Sequence, residues 1–292
     1  MKRNKLEMKK IWKTILTSAV VLVTGTLLFE GFTQAAVAAE FKKTEKVPTS
    51  YTEYTKDSVK STDKKVPEGY VKANYTIGTI DLECYKNNKP DSKDITKEAA
   101  AEIGAQALWQ IFGVNLEGQE IKMGYDLPTD TFSRTGWAAE VWIDGKQSYY
   151  FSVDSVTGEL FQIGYDRTLK EDVSVAYDAE LAKNPQEYIE LAKKAATEFN
   201  VVHGSIKSVE YNGQGYGNND PSISIDVRGE NGEIALLCFS RYDKKLLSIG
   251  YSAQYKEVLD ANVREDKKLE DRIEKKEKTN FSDSTPNLIT ID

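Results

Sequence analysis

Leu160-Phe161-Gln162-Ile163-Gly164-Tyr165 and Leu246-Leu247-Ser248-Ile249-Gly250-Tyr251 are near copies of one another, 86 residues apart. Each has the length and apolar character of a strand. Each also ends a longer run of signals that follows the same order. Carried back, the offset sets Tyr149-Tyr150-Phe151 against Ala235-Leu236-Leu237 and Ile103 against Ile189. Chance gives one similar hexapeptide more readily than a helix, a hairpin and a terminal strand in one register. Two copies are too few for a solenoid, so the pattern reads as a tandem duplication.

In the first copy, Thr96 is placed to cap a helix. Ala100, Ile103, Ala107 and Ile111 recur at helical spacing and Gly113 stops the run. Strand-like runs follow at 121–125, 137–143, 148–153 and 160–165, with Asp144-Gly145 as a hairpin signal and Thr157-Gly158 as a turn. In the second copy, Asn184-Pro185-Gln186-Glu187 reads as N-cap, N1 proline and capping-box glutamate. A helical face of Tyr188, Ala192, Ala195 and Phe199 comes next. Strands are expected at 206–211, 223–227, 233–239 and 246–251, with Asn231-Gly232 at the middle turn. The expected fold class is therefore α+β: two tandem units, each one helix packed on a twisted antiparallel sheet of about three to four strands.

The first copy resembles the PepSY family, small α+β modules of exported bacterial proteins and of peptidase propeptides. The likeness is carried by Ile95-Thr96-Lys97-Glu98-Ala99-Ala100 and by the stretch from Tyr149 to Leu160, where a strand ending Val153-Asp154 is followed by Thr157-Gly158 and a new strand. The second copy has Phe239-Ser240-Arg241-Tyr242-Asp243-Lys244-Lys245 there and lacks both the Asp and the Thr-Gly. The resemblance covers residues 93–166, and it reaches 184–252 only through the register of the repeat. It implies a module that restrains or chaperones a peptidase at the cell envelope.

Around this body lie segments of other character. Basic residues at Lys2, Arg3, Lys5, Lys9, Lys10 and Lys13 precede an uncharged run from Thr14 to Phe29 and then Ala35-Ala36-Val37-Ala38-Ala39. That is the pattern of a signal peptide over 1–39, or of an uncleaved signal-anchor, and it predicts a protein secreted or held at the outer face of the membrane or wall. Residues 40–69 are rich in Lys, Thr, Ser and Asp and read as a flexible linker. A strand-rich lead-in is expected over 70–92, the two units over 93–170 and 171–258, and a charged C-terminal tail over 259–292.

The whole chain of 292 residues carries 46 acidic and 39 basic side chains, formally −7. Loss of residues 1–39, with six basic and two acidic side chains, takes this to about −11. An acidic balance argues against a nucleic-acid partner. One His and two Cys, Cys84 and Cys238, do not make a cluster of soft metal ligands, and neither a metal nor a cofactor is expected. Export permits Cys84 and Cys238 to pair, but Cys238 sits in the apolar run 234–239, where Cys commonly packs as a small hydrophobe.

No catalytic residue emerges. His203 follows the second helix and reads as a cation meeting the helix C-terminus before it reads as a general base. The Gly-rich stretch 212–220 lacks the Lys and Ser/Thr of a phosphate loop and reads as a flexible hairpin loop. Aromatic residues are the better clue, with 16 Tyr, 10 Phe and 4 Trp. Trp142, Tyr149, Tyr150, Phe151, Tyr165 and Tyr251 are the candidate binding residues, since Tyr149-Tyr150-Phe151 places rings on both faces of a strand. The competing reading is that both faces are covered. The expectation is a non-enzymatic protein-binding module whose partner is a peptidase or wall hydrolase. The alternative is a wall- or glycan-binding protein that uses exposed rings.

Overall fold

The computed structural model describes residues 66–282. The segments 1–65 and 283–292, with the expected signal segment and nearly all of the expected linker, lie outside the described residues. In chain order the elements are β1 (Thr76–Thr79), α1 (Glu83–Lys86), α2 (Lys97–Phe112), β2 (Glu120–Asp126), β3 (Gly136–Ile143), β4 (Lys146–Asp154), β5 (Leu160–Tyr165), α3 (Ala179–Lys183), α4 (Gln186–Glu198), β6 (Ile206–Gly217), β7 (Asp220–Gly229), β8 (Ile234–Ser240), β9 (Leu246–Gly250) and α5 (Ser252–Ser282).

All nine strands form one sheet, in the order β1-β2-β3-β4-β5-β9-β8-β7-β6. It is mixed, because β1 joins β2 in parallel and every other pair is antiparallel. This overturns the expectation of two tandem units, each a helix on its own three- to four-stranded sheet. The repeat's last strands, β5 and β9, pair with each other. Left apart, each would present an open edge of unpaired N–H and C=O groups, and joining them removes both edges. The register is symmetric: Gln162 faces Gly250, Ile163 faces Ile249 and Gly164 faces Ser248. Because Ile163 and Ile249 are repeat-equivalent, a pseudo-twofold axis passes through that pair. The repeat holds further out as well. Tyr150 pairs with Gly164 as Leu236 pairs with Gly250, and Ala139 pairs with Phe151 as Ile225 pairs with Leu237.

One face of the sheet carries a single continuous core beneath α2 and α4. It includes Ala101, Ala105 and Leu108 from α2, Tyr188, Ala192 and Ala195 from α4, and Ile121, Phe151, Ile163, Ile225, Leu237 and Ile249 from the strands. The helices thus match at an offset of 87, one more than the strands. Burying each of the Leu, Ile and Phe side chains among them contributes roughly 1.5–3 kcal/mol. Phe151 lies so close beneath Gly104 that a Cβ there would stand 2.1 Å from its ring, so α2 needs a glycine at that point. The other face is covered by the start of α5, where Tyr255 and Leu259 pack on Ile234 and Leu236.

Local signals explain the element ends. Thr96 Oγ1 accepts from Ala99 N at 3.1 Å, and Gly113 closes α2 at φ 67°. In α4 the expected capping box does not form. Asn184 instead ends the short α3, donating its N–H to Glu180 O, and Pro185 becomes the N-cap. The Glu187 carboxylate is taken by Lys244 at 2.5 Å. Asp144 and Gly145 both take positive φ in the β3–β4 turn, as that dipeptide requires. The lead-in holds one four-residue strand and one turn of helix, and the charged C-terminal stretch continues α5 without a break. Among the described residues no helix is long and apolar enough to cross a membrane.

Candidate functional site

The six aromatic residues picked from sequence lie within the fold, and none is fully exposed. Phe151 and Tyr150 are buried on opposite faces of β4, Phe151 under α2 and Tyr150 with its ring over Gly164. Tyr149 is half-buried, stacked on Tyr165 with ring centres 4.7 Å apart, and it meets Phe112 at 5.5 Å. Trp142 is half-buried under the Lys122 ammonium, 3.7 Å from its ring, and donates to Glu140 Oε2. Tyr251, repeat-equivalent to Tyr165, packs against the core, and burial pushes its hydroxyl pKa up. The structure brings Tyr149 and Tyr165 together and gives the others separate packing roles.

The exposed rings are elsewhere. Tyr177, Tyr216 and Tyr242 are 64%, 49% and 45% exposed. They come from three segments that meet at one end of the sheet: the linker after β5, the end of β6 and the β8–β9 turn. The Gly-rich stretch explains part of this. Instead of a flexible loop it continues β6 to Gly217 and turns through Asn218 and Asn219 alone, with Gly217 paired to Asp220. Both asparagines then hold the linker: Asn218 Nδ2 donates to Asp166 Oδ1 at 2.7 Å, and Asn219 Oδ1 accepts from Leu169 N at 2.7 Å.

Arg241 ties the same three segments together. Its backbone N–H donates to Pro221 O at 2.6 Å, and its guanidinium donates to Gln214 Oε1 and Ala176 O, both at 2.9 Å. Gln214 in turn brackets Asp178, accepting from its N–H and donating to its carbonyl. Tyr242 is hydrogen-bonded to Glu171, which raises its hydroxyl pKa. Tyr211 is pushed up to about 12, by burial first and then by the neighbouring Tyr177. Beneath this surface, Arg167 donates from Nε to Asp220 Oδ2 at 2.6 Å and through both terminal nitrogens to Asp243 at 2.9 and 2.8 Å. Asp220 is 2% exposed and also accepts from Ser240 Oγ at 2.6 Å. Arg167 holds the Asp243 carboxyl below the usual carboxylate range and is itself shifted up.

The result is a rigid end carrying three amphipathic rings beside arginine. Such a surface can bury ring area at low entropic cost and offer hydroxyls to a partner's rim. Sequence reasoning missed these tyrosines because it sought rings in strands. The available signal was their place beside turn residues, at Gly215-Tyr216-Gly217 and Arg241-Tyr242-Asp243.

The remaining sequence candidates fall outside this end. His203 is exposed after α4, and its Nδ1 meets the Glu233 carboxylate at 3.2 Å. Cys84 is exposed on α1, Cys238 is half-buried on β8, and both are free thiols. Among the described residues no group of three or more His, Cys, Asp or Glu side chains is placed to hold a metal ion.

No family model matches the chain, and no curated protein matches it. Among solved structures it is similar to the Bacillus megaterium YpeB C-terminal domain, at a TM-score of 0.36 and 10% identity, over 55% of this chain and 64% of that one. The chain therefore spans less than two thirds of that structure, and a likeness at this level carries no argument.

Proposed function

We propose that the chain is a non-catalytic exported module that binds another protein, a secreted or envelope peptidase or wall hydrolase, and inhibits or stabilises it. Export is inferred from residues 1–39, and the class of partner from the PepSY-like motif at 95–100 and 149–160. The observation that carries the binding reading is the end of the sheet where Tyr177, Tyr216 and Tyr242 stand exposed on a framework fixed by Arg241, Gln214 and Arg167. A patch held in place by its framework loses less conformational freedom on association, which lowers one of the costs of binding.

The test compares the wild-type chain with a Tyr177→Ser, Tyr216→Ser, Tyr242→Ser variant as bait for envelope and culture-medium extracts, with thermal melts to confirm that both are folded. A peptidase or hydrolase retained by the wild type and lost by the variant, and altered in activity by the wild type, supports the proposal. Equal retention by both baits removes the tyrosine end from it. Recovery of wall fragments alone replaces it with glycan binding.

A further inference from the structure

The face of the sheet opposite α2 and α4 holds a carboxylate buried under a helix. Asp226 on β7 is 4% exposed, and the start of α5 closes over it. Tyr255 of α5 donates its hydroxyl to Asp226 Oδ1 at 2.9 Å. Asn212 of β6 donates Nδ2 to the same oxygen at 3.2 Å and to the Tyr255 oxygen at 3.3 Å. The other neighbours are few. β6 also sets Glu210 directly opposite Asp226 in the ladder, β8 sets Leu236 opposite it, and β7 supplies Arg228. Arg228 Nη2 stands 3.8 Å from Asp226 Oδ2, and Arg228 Nε finds no partner among the described residues. The carboxylate thus has two neutral donors and no hydrogen-bonded cation. Its lost hydration is not made good by a close ion pair, and Glu210 adds a like charge. Burial first, with Glu210 helping, pushes the Asp226 pKa above its ordinary value.

The helix that closes the site is lightly held. Tyr255, Leu259 and Ala261 are its buried apolar residues, and from Val263 to Ile273 every side chain but Leu269 is exposed. Its other ties are three hydrogen bonds: Ser252 Oγ accepts from Ile234 N at 3.1 Å, Ala253 O from Arg134 Nη1 at 3.2 Å, and Glu257 Oε1 from Ser133 N at 2.7 Å. An element with so few buried contacts opens at a lower free energy than the strands beneath it. Opening returns Asp226 to water and uncovers Ile234 and Leu236. We propose that Asp226 and Tyr255 form a pH-sensitive latch, in which α5 docks more tightly on the sheet when Asp226 takes up a proton and loosens when it ionises. Protonation leaves the latch bond in place, because a neutral carboxyl still accepts from Tyr255 through its carbonyl oxygen. The docked form holds the Asp226 proton more firmly than the open form, where the carboxyl returns to about its ordinary value of 3.8. The penalty on docking is therefore complete above the raised value and is relieved as pH falls through it towards 3.8. This is the reverse of a carboxylate held by a close arginine. The latch does not depend on the tyrosine end or on the identity of a protein partner.

The test is hydrogen–deuterium exchange of the full chain between about pH 8 and about pH 4, corrected for the intrinsic rate at each pH. Peptides over 252–262 report α5, and peptides over β3 and β4 report opening of the whole sheet. Asp226→Asn keeps an acceptor for Tyr255 and removes the titration, so every other ionising group cancels in the comparison. On acidification, protection of 252–262 should rise at least about threefold more in the wild type than in Asp226→Asn, while β3 and β4 respond alike in both. Tyr255→Phe keeps the ring and deletes the donor that favours the ionised form, so its rise should be steeper than that of the wild type. Equal pH dependence in the wild type and Asp226→Asn, a shallower rise in Tyr255→Phe, or exchange of 252–262 only together with β3 and β4 would each overturn the proposal.

Discussion

The turn between β4 and β5 and the turn between β8 and β9 are the same structure built from different residues. In the first, Asp154 Oδ1 accepts from Val156 N and Thr157 N, both at 2.7 Å. In the second, Ser240 Oγ accepts from Tyr242 N at 3.0 Å and Asp243 N at 3.4 Å. Asp154 N donates to Glu159 O as Ser240 N donates to Lys245 O, and Gly158 and Lys244 both take a left-handed φ, 70° and 61°. All these positions correspond at the offset of 86. The turn tolerates the loss of the Asp and the Gly because any short side-chain oxygen can accept the two N–H groups.

The ion pairs around these turns show what did change. At the first corner Arg134 meets Asp154 at 2.5 Å, also reaches Glu159, and donates to Ala253 O. At the second, Arg167 meets Asp220 and Asp243. The equivalents of Arg134 and Ala253 are Asp220 and Arg167, so in the second corner the acid stands at the first corner's arginine position and the arginine stands at the position of Ala253, while each corner keeps one arginine against one buried aspartate. The physical requirement is a compensated charge within the corner, and which strand supplies it is open. A serine fits at 240 because Asp220 already occupies the corner as its acid.

The contrast between the corners can be tested in order of expected effect. Arg167→Met leaves Asp220 buried with only Ser240 as donor and should cost about 3–5 kcal/mol in urea unfolding. Arg134→Met should cost only about 1–2 kcal/mol, because Asp154 keeps its two backbone donors and its arginine is 26% exposed. Equal losses would show that the corners do not differ as described.

Ser240→Asp sets a second carboxylate where Ser240 Oγ now stands 2.6 Å from Asp220, and should cost about 2–3 kcal/mol. Adding Asp220→Arg recreates the first corner's arrangement and should recover at least about 1 kcal/mol of that loss in a double-mutant cycle. Purely additive losses would mean that the acid at 220 is not what makes Ser240 suitable.

At the left-handed position, Gly158→Ala should cost about 1 kcal/mol, since its Cβ would also stand 3.1 Å from Ile103. Lys244→Gly should raise the melting temperature despite the loss of the exposed pair with Glu187. A lower melting temperature would show that this pair outweighs the backbone strain.

The smallest effect is on pH. The folded-state pKa of Asp243 is depressed by Arg167, so its contribution is complete above its ordinary value of 3.8 and is lost as pH falls through the lower folded value. Wild type should therefore lose more stability than Asp243→Asn between about pH 4 and pH 2; parallel curves would remove Asp243 from the second corner's balance.

Much of this was legible in the chain itself. The strand at 160–165, the cap at Thr96, the stop at Gly113 and the turn at Asp144-Gly145 are local events, decided by side chains within a few residues of one another, and the sequence shows them directly. The repeat is legible for the same reason, since equivalent strands keep equivalent patterns. The ladder that joins β5 to β9 is not, because the pattern of a strand says which face is apolar and nothing about which of its edges finds a partner. The different placement of arginine and aspartate in the two corners, and the gathering of Tyr177, Tyr216 and Tyr242 from three segments, also depend on contacts between residues far apart in sequence. The sequence by itself indicated the helix capped at Thr96, most of the strands and the repetition of their pattern, but neither the strand over 212–217 nor the helices at 179–183 and 252–282. Only the tertiary structure decided that two sheets would be one, because closing two open edges gains hydrogen bonds that no local signal encodes.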